Sequence, residues 1–272
     1  MGLWEAIWKS GVLGIVQGLT EFLPVSSSGH LTFLQILGVN FGEGMTMFIN
    51  ILMHLGTLVA VVIVFWRDIL ALFKKPFKTL FMLIVATIPA GVVGLLFSDD
   101  IDAFFTGEKA LLNLSVCFAA TAALLLVCEI VAKKQKKPHD LGWGSSLAMG
   151  FTQAVALFPG ISRSGSTIVA GTVSGAKREQ VASFSFLMSI PVILGSFVVE
   201  TYDVIKQPEL VADIGTNGFI GIAVGVVLAA VFGFLAIKLM LNAIRKANYM
   251  WFSIYLLGLS LTCFWLNALG IF

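Results

Sequence analysis

Six apolar stretches of about twenty residues each constrain this chain more than any other feature. A membrane-spanning helix needs roughly 20 consecutive apolar residues, and a soluble domain carries about 25% charged residues. This chain of 272 residues is 58% hydrophobic and only 12% charged. We therefore expect an all-α polytopic integral membrane protein. The predicted spans are Phe48–Trp66, Phe77–Phe97, Ala110–Ala132, Phe184–Tyr202, Phe219–Met240 and Tyr249–Phe272.

The charged residues between these stretches alternate in sign along the chain. Basic loops stay in the cytoplasm, so the basic clusters mark the inner side and the acidic segments mark the outer side. The basic clusters are Arg67/Lys74/Lys75/Lys78, Lys133/Lys134/Lys136/Lys137, Lys177/Arg178 and Lys238/Arg245/Lys246. The acidic segments contain Asp99, Asp100, Asp102 and Glu108, and then Glu209 and Asp213.

Two further apolar regions, at about 1–46 and 141–176, do not fit as simple spans. Basic clusters on the inner side flank the second region, so its chain returns to the side from which it started. Its middle is interrupted by Pro159, Gly160 and Gly165, and irregular backbone is tolerated at membrane depth where protein or a wet cavity surrounds it. We predict two re-entrant helical hairpins that enter from opposite faces.

The two hairpins are similar in sequence. GIVQGLTEFLPVSSSGHL begins at Gly14 and GFTQAVALFPGISRSGST begins at Gly150, an offset of 136 residues. This offset predicts repeat halves at about 1–136 and 137–272 within a single integral membrane domain over 1–272. Since each half has a hairpin and three spans, the second half is predicted to be inverted, with both termini outside the cytoplasm.

Glu21 is the sharpest single candidate for function. A carboxylate at membrane depth is costly unless it faces a cavity or a partner, and Gln17 lies four residues earlier on the same helical face. The alternative is a carboxylate that serves only helix packing or capping. His54 has no acidic neighbour in its own apolar span, and we interpret it as a packed or hydrogen-bonded helix residue.

Three hydroxyls and an imidazole follow Glu21 within nine residues: Ser26, Ser27, Ser28 and His30. A serine near a histidine or carboxylate suggests an activated nucleophile. The alternative is that the serines cap the second half-helix, where serine is favoured. The residues alone leave the nucleophile open, and a phosphorylated His30 is a further alternative.

Arg163 is the strongest feature of the second hairpin. A guanidinium suits bidentate binding of phosphate oxygens, and exposed amides at the start of a half-helix would add donors. A salt bridge to Glu21 is the alternative, and such a pair would bring the two hairpins together.

The segments QGLTEFLPVSSSGH (Gln17–His30) and PGISRSGST (Pro159–Thr167) resemble the two signature blocks of the bacterial undecaprenyl-diphosphate phosphatases, the bacitracin-resistance family. The resemblance implies hydrolysis of undecaprenyl diphosphate to undecaprenyl phosphate and inorganic phosphate, which recycles the lipid carrier for cell-wall synthesis. The implied catalytic residues are Glu21, Ser27, His30 and Arg163. The implied substrate-binding residues are Gln17, Ser26, Ser28, Ser162, Ser164 and Thr167.

The same resemblance implies partners and a location. The expected partners are a polyprenyl diphosphate and membrane lipids, with no nucleic acid, and a homodimer is left open. We expect the bacterial inner membrane, with the site facing the periplasm or cell exterior. The family is described as dependent on Mg²⁺ or Ca²⁺, with no organic cofactor. Glu21 would be a metal ligand, but Gln17 leaves only one carboxylate in the first motif.

Two functional hypotheses follow for this chain. In the first, Ser27 attacks the terminal phosphorus while Glu21 or His30 takes its proton and Arg163 clamps the diphosphate. In the second, the inverted repeat serves an alternating-access transporter or lipid flippase. Release of phosphate from the lipid diphosphate would favour the first hypothesis, whereas flux across vesicles without hydrolysis would favour the second.

Overall fold

The computed structural model describes residues 2–41, 43–207, 214–246 and 248–270. These residues form ten α-helices and no β-strand. The acidic residues Glu209 and Asp213 and the end of the sixth predicted span lie outside the described residues. The helices are α1 Leu3–Phe22, α2 Ser27–Ile36, α3 Glu43–Leu72, α4 Lys78–Phe104, α5 Ala110–Lys134, α6 Trp143–Val155, α7 Arg163–Val173, α8 Arg178–Lys206, α9 Thr216–Arg245 and α10 Met250–Ala268.

Six helices, α3, α4, α5, α8, α9 and α10, are long and apolar enough to cross a membrane, as predicted. Most of them extend beyond the predicted ends. Asp99 and Asp100 lie in the last turns of α4, and Arg178 begins α8, although the sequence suggested loops there. The helical hydrogen bonds continue into the polar interface, where charged side chains reach water along their stems.

The four short helices α1, α2, α6 and α7 form two pairs with local start and stop signals. Pro24 follows α1 closely, and the residue before a proline is disfavoured in helical conformation. Ser26 then caps α2, since its Oγ accepts a hydrogen bond from the N–H three residues later at 3.3 Å. Ser162 caps α7 in the same way at 3.0 Å. The capping role considered for the serines after Glu21 is therefore confirmed at Ser26, and the cap at Ser162 was not predicted.

Small residues let the short pairs pack closely against long helices. A Cβ on Gly14 of α1 would overlap the backbone of Gly225 in α9. A Cβ on Gly150 of α6 would likewise overlap the backbone of Ala86 in α4. Close backbone approach through small residues is the usual basis of helix packing in membranes.

An aromatic core fixes the C-terminal end of α1. Phe22 is fully buried and meets the Phe186 ring of α8 edge-on, at 5.8 Å between centroids. Phe65 of α3 packs on the same ring at 5.4 Å. Because Phe22 follows Glu21 directly, these contacts also hold the Glu21 carboxylate in place.

The connection between α5 and α6 is tied to the turn between α7 and α8 through His139. The backbone of His139 donates to Gly175 O and accepts from Lys177 N. Its ring nitrogens lie 2.8 Å from the carbonyl oxygens of Asp140 and Ser174. Since carbonyls only accept, both bonds need a doubly protonated ring, and these carbonyls raise the pKa of His139.

We predict that His139→Gln lowers thermal stability more in mildly acidic than in alkaline solution. A raised pKa in the folded state gives a contribution that is fully present below the ordinary histidine value of about 6.5 and is lost as the pH rises through the folded-state value. Melting of purified wild type and variant in detergent, at several pH values from about 6 to 9, measures the difference. A difference that does not shrink with rising pH would contradict the doubly protonated ring.

Candidate active site

Glu21 lies at the centre of a buried polar cluster that joins α1, α2, α3 and α7. Its Oε2 accepts hydrogen bonds from Ser27 Oγ at 2.6 Å and from Gln17 Nε2 at 3.1 Å. Its Oε1 accepts from Arg163 Nη2 at 2.6 Å. Glu21 is 8% exposed, so this carboxylate is paired and hydrogen-bonded rather than left alone in an apolar medium.

Ser27 reaches the carboxylate because the backbone turns sharply before α2. Ser26 has a φ of +68°, in a region that L-residues rarely adopt and that costs on the order of 1–3 kcal/mol. Ser27 is then the first residue of α2. Of the three neighbouring serines, Ser27 is the one whose hydroxyl bonds Glu21, while Ser28 Oγ lies 3.3 Å from Ser26 Oγ.

Arg163 is held from behind by α7 and α8. Its Nη1 lies 3.4 Å from the carbonyl of Ser185, and its own carbonyl accepts from Thr167 Oγ1 at 2.9 Å. The Thr167 hydroxyl also lies 2.7 Å from Ser185 Oγ. The contacts of Thr167 are therefore with the protein around Arg163. Ser162 Oγ and Ser164 Oγ lie 3.3 Å apart at the start of α7.

The ends of the two short pairs meet directly. Gly160 N donates to Ser26 Oγ at 3.0 Å, and Ser164 Oγ donates to the carbonyl of Leu23 at 3.0 Å. Gly160 has a φ of +93°, and a Cβ on Gly29 would overlap its backbone. These contacts place the first residues of α2 and α7, Ser27 and Arg163, on the two sides of one carboxylate.

His30 is turned away from the Glu21 cluster. Its Nδ1 lies 2.7 Å from the carbonyl of Ser26 and its Nε2 lies 2.7 Å from Tyr255 Oη. Both ring nitrogens are therefore engaged, and neither bonds Ser27 or Glu21. The predicted catalytic residues Glu21, Ser27 and Arg163 are brought together, with Gln17 beside them, whereas His30 supports the turn before α2.

Sequence reasoning missed His54, which lies next to the carboxylate. His54 Nδ1 bonds the carbonyl of Asn50 at 2.7 Å, and this contact turns Nε2 toward Glu21 Oε2 at 3.6 Å. No local pattern signals this contact, because Glu21 lies on a different helix. A histidine facing inward from an apolar span was the available clue.

The donor set around Glu21 does not fit a divalent cation held by the protein alone. Mg²⁺ and Ca²⁺ prefer several oxygen ligands, but both Glu21 oxygens already accept hydrogen bonds, and the Arg163 charge lies at one of them. Within the described part of the chain, no group of three or more His, Cys, Asp or Glu side chains could hold a metal ion.

The fold and the cluster together define a multi-pass membrane protein with a polar site between its helices. The chain belongs to the family described as bacitracin resistance protein BacA, whose model matches residues 10–262. The family assignment made from the two motifs is confirmed.

Three curated relatives of similar length are each named undecaprenyl-diphosphatase. The protein of Carboxydothermus hydrogenoformans is 41% identical, over 96% of this chain and 97% of that protein. The relative from Halothermothrix orenii is 38% identical, over 92% and 93%. The relative from Bacteroides fragilis is 36% identical, over 90% and 92%.

We predict that Ser26→Ala destabilises the protein more than Ser162→Ala. Each change removes one helix cap, worth about 1 kcal/mol, but only Ser26 also accepts a bond from Gly160 across the two pairs. The unpaired, buried Gly160 N–H should add about 1–3 kcal/mol. Chemical unfolding of both variants in the same detergent measures the difference. Equal losses would show that the cross-pair bond adds nothing.

Proposed function

We propose that this protein hydrolyses undecaprenyl diphosphate to undecaprenyl phosphate and inorganic phosphate. The observation that carries the proposal is the Glu21 carboxylate, which bonds both the Ser27 hydroxyl and the Arg163 guanidinium at 2.6 Å. This contact supports a proposal in which Ser27 is the nucleophile, Glu21 is its base and Arg163 is the phosphate-binding cation. The relatives' shared name, undecaprenyl-diphosphatase, indicates the substrate.

In the proposed reaction, the Ser27 hydroxyl is the nucleophile and Glu21 is its base. Glu21 Oε2 takes the Ser27 proton as Ser27 Oγ forms a bond to the terminal phosphorus. The bond between that phosphorus and the bridging oxygen breaks, and undecaprenyl phosphate leaves with the electron pair. Glu21 passes the Ser27 proton to the departing undecaprenyl phosphate. Water then attacks the phosphoserine, Glu21 takes a proton from that water and returns it to Ser27 Oγ, and inorganic phosphate leaves.

The surroundings of Ser27 favour it over its neighbours as nucleophile. Ser26 Oγ already caps α2 and accepts from Gly160, so its lone pairs are committed to backbone donors. Ser28 Oγ faces Ser26 rather than a base. His30 has both ring nitrogens engaged, which argues against a phosphohistidine.

Charge at the cluster favours the diphosphate. The first residues of α2 and α7 are Ser27 and Arg163, so both helix N-termini lie beside the Glu21 carboxylate. Helix N-termini attract anions. A guanidinium has five N–H donors, and the bond to Glu21 Oε1 together with the contact to the Ser185 carbonyl engages only part of them. Arg163 therefore has donors left for phosphate oxygens.

The two short pairs are proposed to be re-entrant hairpins of an inverted repeat. Ser26 and Ser162 lie 136 residues apart and cap their helices identically. At the same offset, Gly29 corresponds to Gly165, and Pro24 corresponds to Gly160. Gly29 packs against Gly160, and Gly165 packs against Pro24, so the two contacts are equivalent. Such exchanged contacts are expected around a pseudo-twofold axis between the halves 1–136 and 137–272.

The contacts of the long helices support the same repeat. α1 packs on α9, and its counterpart α6 packs on α4, which is the counterpart of α9. With basic residues inside, both termini and the site opening are proposed to face the cell exterior or periplasm. The site would then meet the lipid diphosphate on the outer side of the membrane.

We predict that purified protein releases phosphate from undecaprenyl diphosphate and that Glu21→Gln and Ser27→Ala each reduce kcat by at least about 10³-fold. Arg163→Ala should reduce it by about 10²- to 10³-fold, as for the loss of one charge-stabilising donor. Initial rates of phosphate release in detergent measure these effects. The control carboxylate variant is Glu5→Gln, because Glu5 pairs with the nearby Lys9 of the same helix and lies outside the Glu21 cluster.

Near-normal turnover of Ser27→Ala would remove Ser27 as the nucleophile, and a trapped phosphohistidine would give that role to His30. A parallel series with chelator tests whether Mg²⁺ or Ca²⁺ enters with the diphosphate. Flux of the lipid across vesicles without any phosphate release would favour the transporter hypothesis instead.

We predict that Glu108→Cys reacts with a membrane-impermeant maleimide in spheroplasts whose inner membrane is intact, whereas Lys137→Cys does not. The two positions lie before and after α5, on opposite sides if the charge pattern sets the orientation. Since Cys117, Cys128 and Cys263 are buried, they contribute little background. The reverse labelling pattern would overturn the proposed orientation.

A further inference from the structure

Tyr255 makes a contact that the sequence motifs do not mark. Tyr255 lies on α10, far from both motifs in the sequence, and its Oη lies 2.7 Å from His30 Nε2. The two rings are stacked, with centroids 5.6 Å apart and planes at 9°. On another side, the Phe118 ring meets His30 edge-on at 5.5 Å.

The hydrogen bonds of His30 fix which nitrogen carries the proton. A carbonyl oxygen only accepts, so the 2.7 Å contact with Ser26 O requires a proton on Nδ1. In the neutral ring, Nε2 then has a lone pair and accepts from the Tyr255 hydroxyl. Since His30 is only 7% exposed, an Nε2 without this donor would be a largely buried acceptor, which is costly.

His30 is connected to the Glu21 cluster through its hydrogen bond to the Ser26 carbonyl. Ser26 is held at a φ of +68°, and this strained turn places the next residue, Ser27, against Glu21. The strain persists only where surrounding contacts impose it. The Nδ1–H bond of His30 and the Gly160 bond to Ser26 Oγ are two such contacts.

The helix that carries Tyr255 is bonded to α5 on both sides of this residue. On one side of it in α10, Ser253 Oγ donates to the carbonyl of Ala122 at 2.8 Å. On the other side, Ser260 Oγ donates to the carbonyl of Ser115 at 2.8 Å. The Tyr255 phenol is thus carried by a helix that is bonded to α5 at two points. Neither of these bonds involves His30, so the phenol can orient the His30 ring.

We propose that Tyr255 is a positioning residue for the phosphatase reaction. Its hydroxyl holds His30 with the proton on Nδ1, and His30 in turn holds the Ser26 turn that aims Ser27 at Glu21. This inference rests on the proposed function for its kinetic consequence, whereas the contact between Tyr255 and His30 is testable without activity.

The first test is the ¹⁵N NMR spectrum of the histidine rings. The chain has only three histidines, so His54→Gln and His139→Gln assign the His30 signals by elimination. We expect one protonated nitrogen, Nδ1, and one hydrogen-bonded acceptor, Nε2. Tyr255→Phe, which keeps the stacked ring, should shift the His30 Nε2 signal toward that of an unbonded nitrogen and leave His54 and His139 unchanged.

A His30 ring with its proton on Nε2, or a spectrum unchanged by Tyr255→Phe, would overturn the proposal. This outcome is independent of whether the protein hydrolyses the lipid. If the NMR result is as expected but neither the wild type nor any variant releases phosphate, the proposed function is wrong. The contact between Tyr255 and His30 is then still confirmed.

The second test is kinetic. Tyr255→Phe should lower kcat by roughly three- to tenfold, the value of one ordinary hydrogen bond. We expect little change in KM, because the described hydrogen bond of Tyr255 is with His30 and not with the Glu21 cluster. Tyr255→Ala, which also removes the stacked ring, should lower kcat further. The matched control is Tyr202→Phe, because the Tyr202 ring on α8 contacts only the Lys206 ammonium among the described ring contacts.

A double-mutant comparison separates positioning from general loss of stability. In a His30→Gln background, Tyr255→Phe should cause no further loss of the residual rate, because its effect passes through His30. Equal losses in both backgrounds, or an unchanged kcat in Tyr255→Phe, would show that Tyr255 does not position His30.

Discussion

The Glu21 carboxylate and the Arg163 guanidinium form an ion pair at 2.6 Å, with side chains that are 7% and 14% exposed. Each of these charges alone would be costly in an apolar environment. The pair therefore keeps α1 and α7 together, and removal of either partner would leave a buried charge unpaired. Ser27 and Gln17 donate the remaining hydrogen bonds to the carboxylate. The N-termini of α2 and α7 lie beside it.

The proposed repeat explains how one carboxylate gains two different partners. Ser27 and Arg163 occupy equivalent positions, each first in its helix after a capping serine. At the repeat offset, the position equivalent to Glu21 is Leu157, so the two short helix pairs meet a single acid. The proposed repeat would thus be a symmetric scaffold for an asymmetric site, with the hydroxyl from one half and the cation from the other.

Much of this arrangement could be predicted from local patterns. The length of the apolar stretches predicted six spans, the serines after Glu21 indicated one helix cap, and the two motifs marked Glu21, Ser27 and Arg163. The helix ends were less predictable, because charged residues such as Asp99 and Arg178 continue helices into the interface. His54 and Tyr255 were missed, and His30 was expected at the nucleophile. Each of these depends on contacts between helices that lie far apart in the sequence.

The Glu21–Arg163 pair also sets a requirement for the proposed reaction. Arg163 holds the carboxylate that is to accept the Ser27 proton, so a guanidinium fully committed to Glu21 would oppose that transfer. A diphosphate that binds the remaining donors of Arg163 competes with Glu21 for its charge. Proton transfer from Ser27 would then become favourable only when the substrate is in place. Without substrate, the same pair compensates the charge of the carboxylate. In the proposed reaction, one contact would therefore serve both stability before binding and control of the nucleophile afterwards.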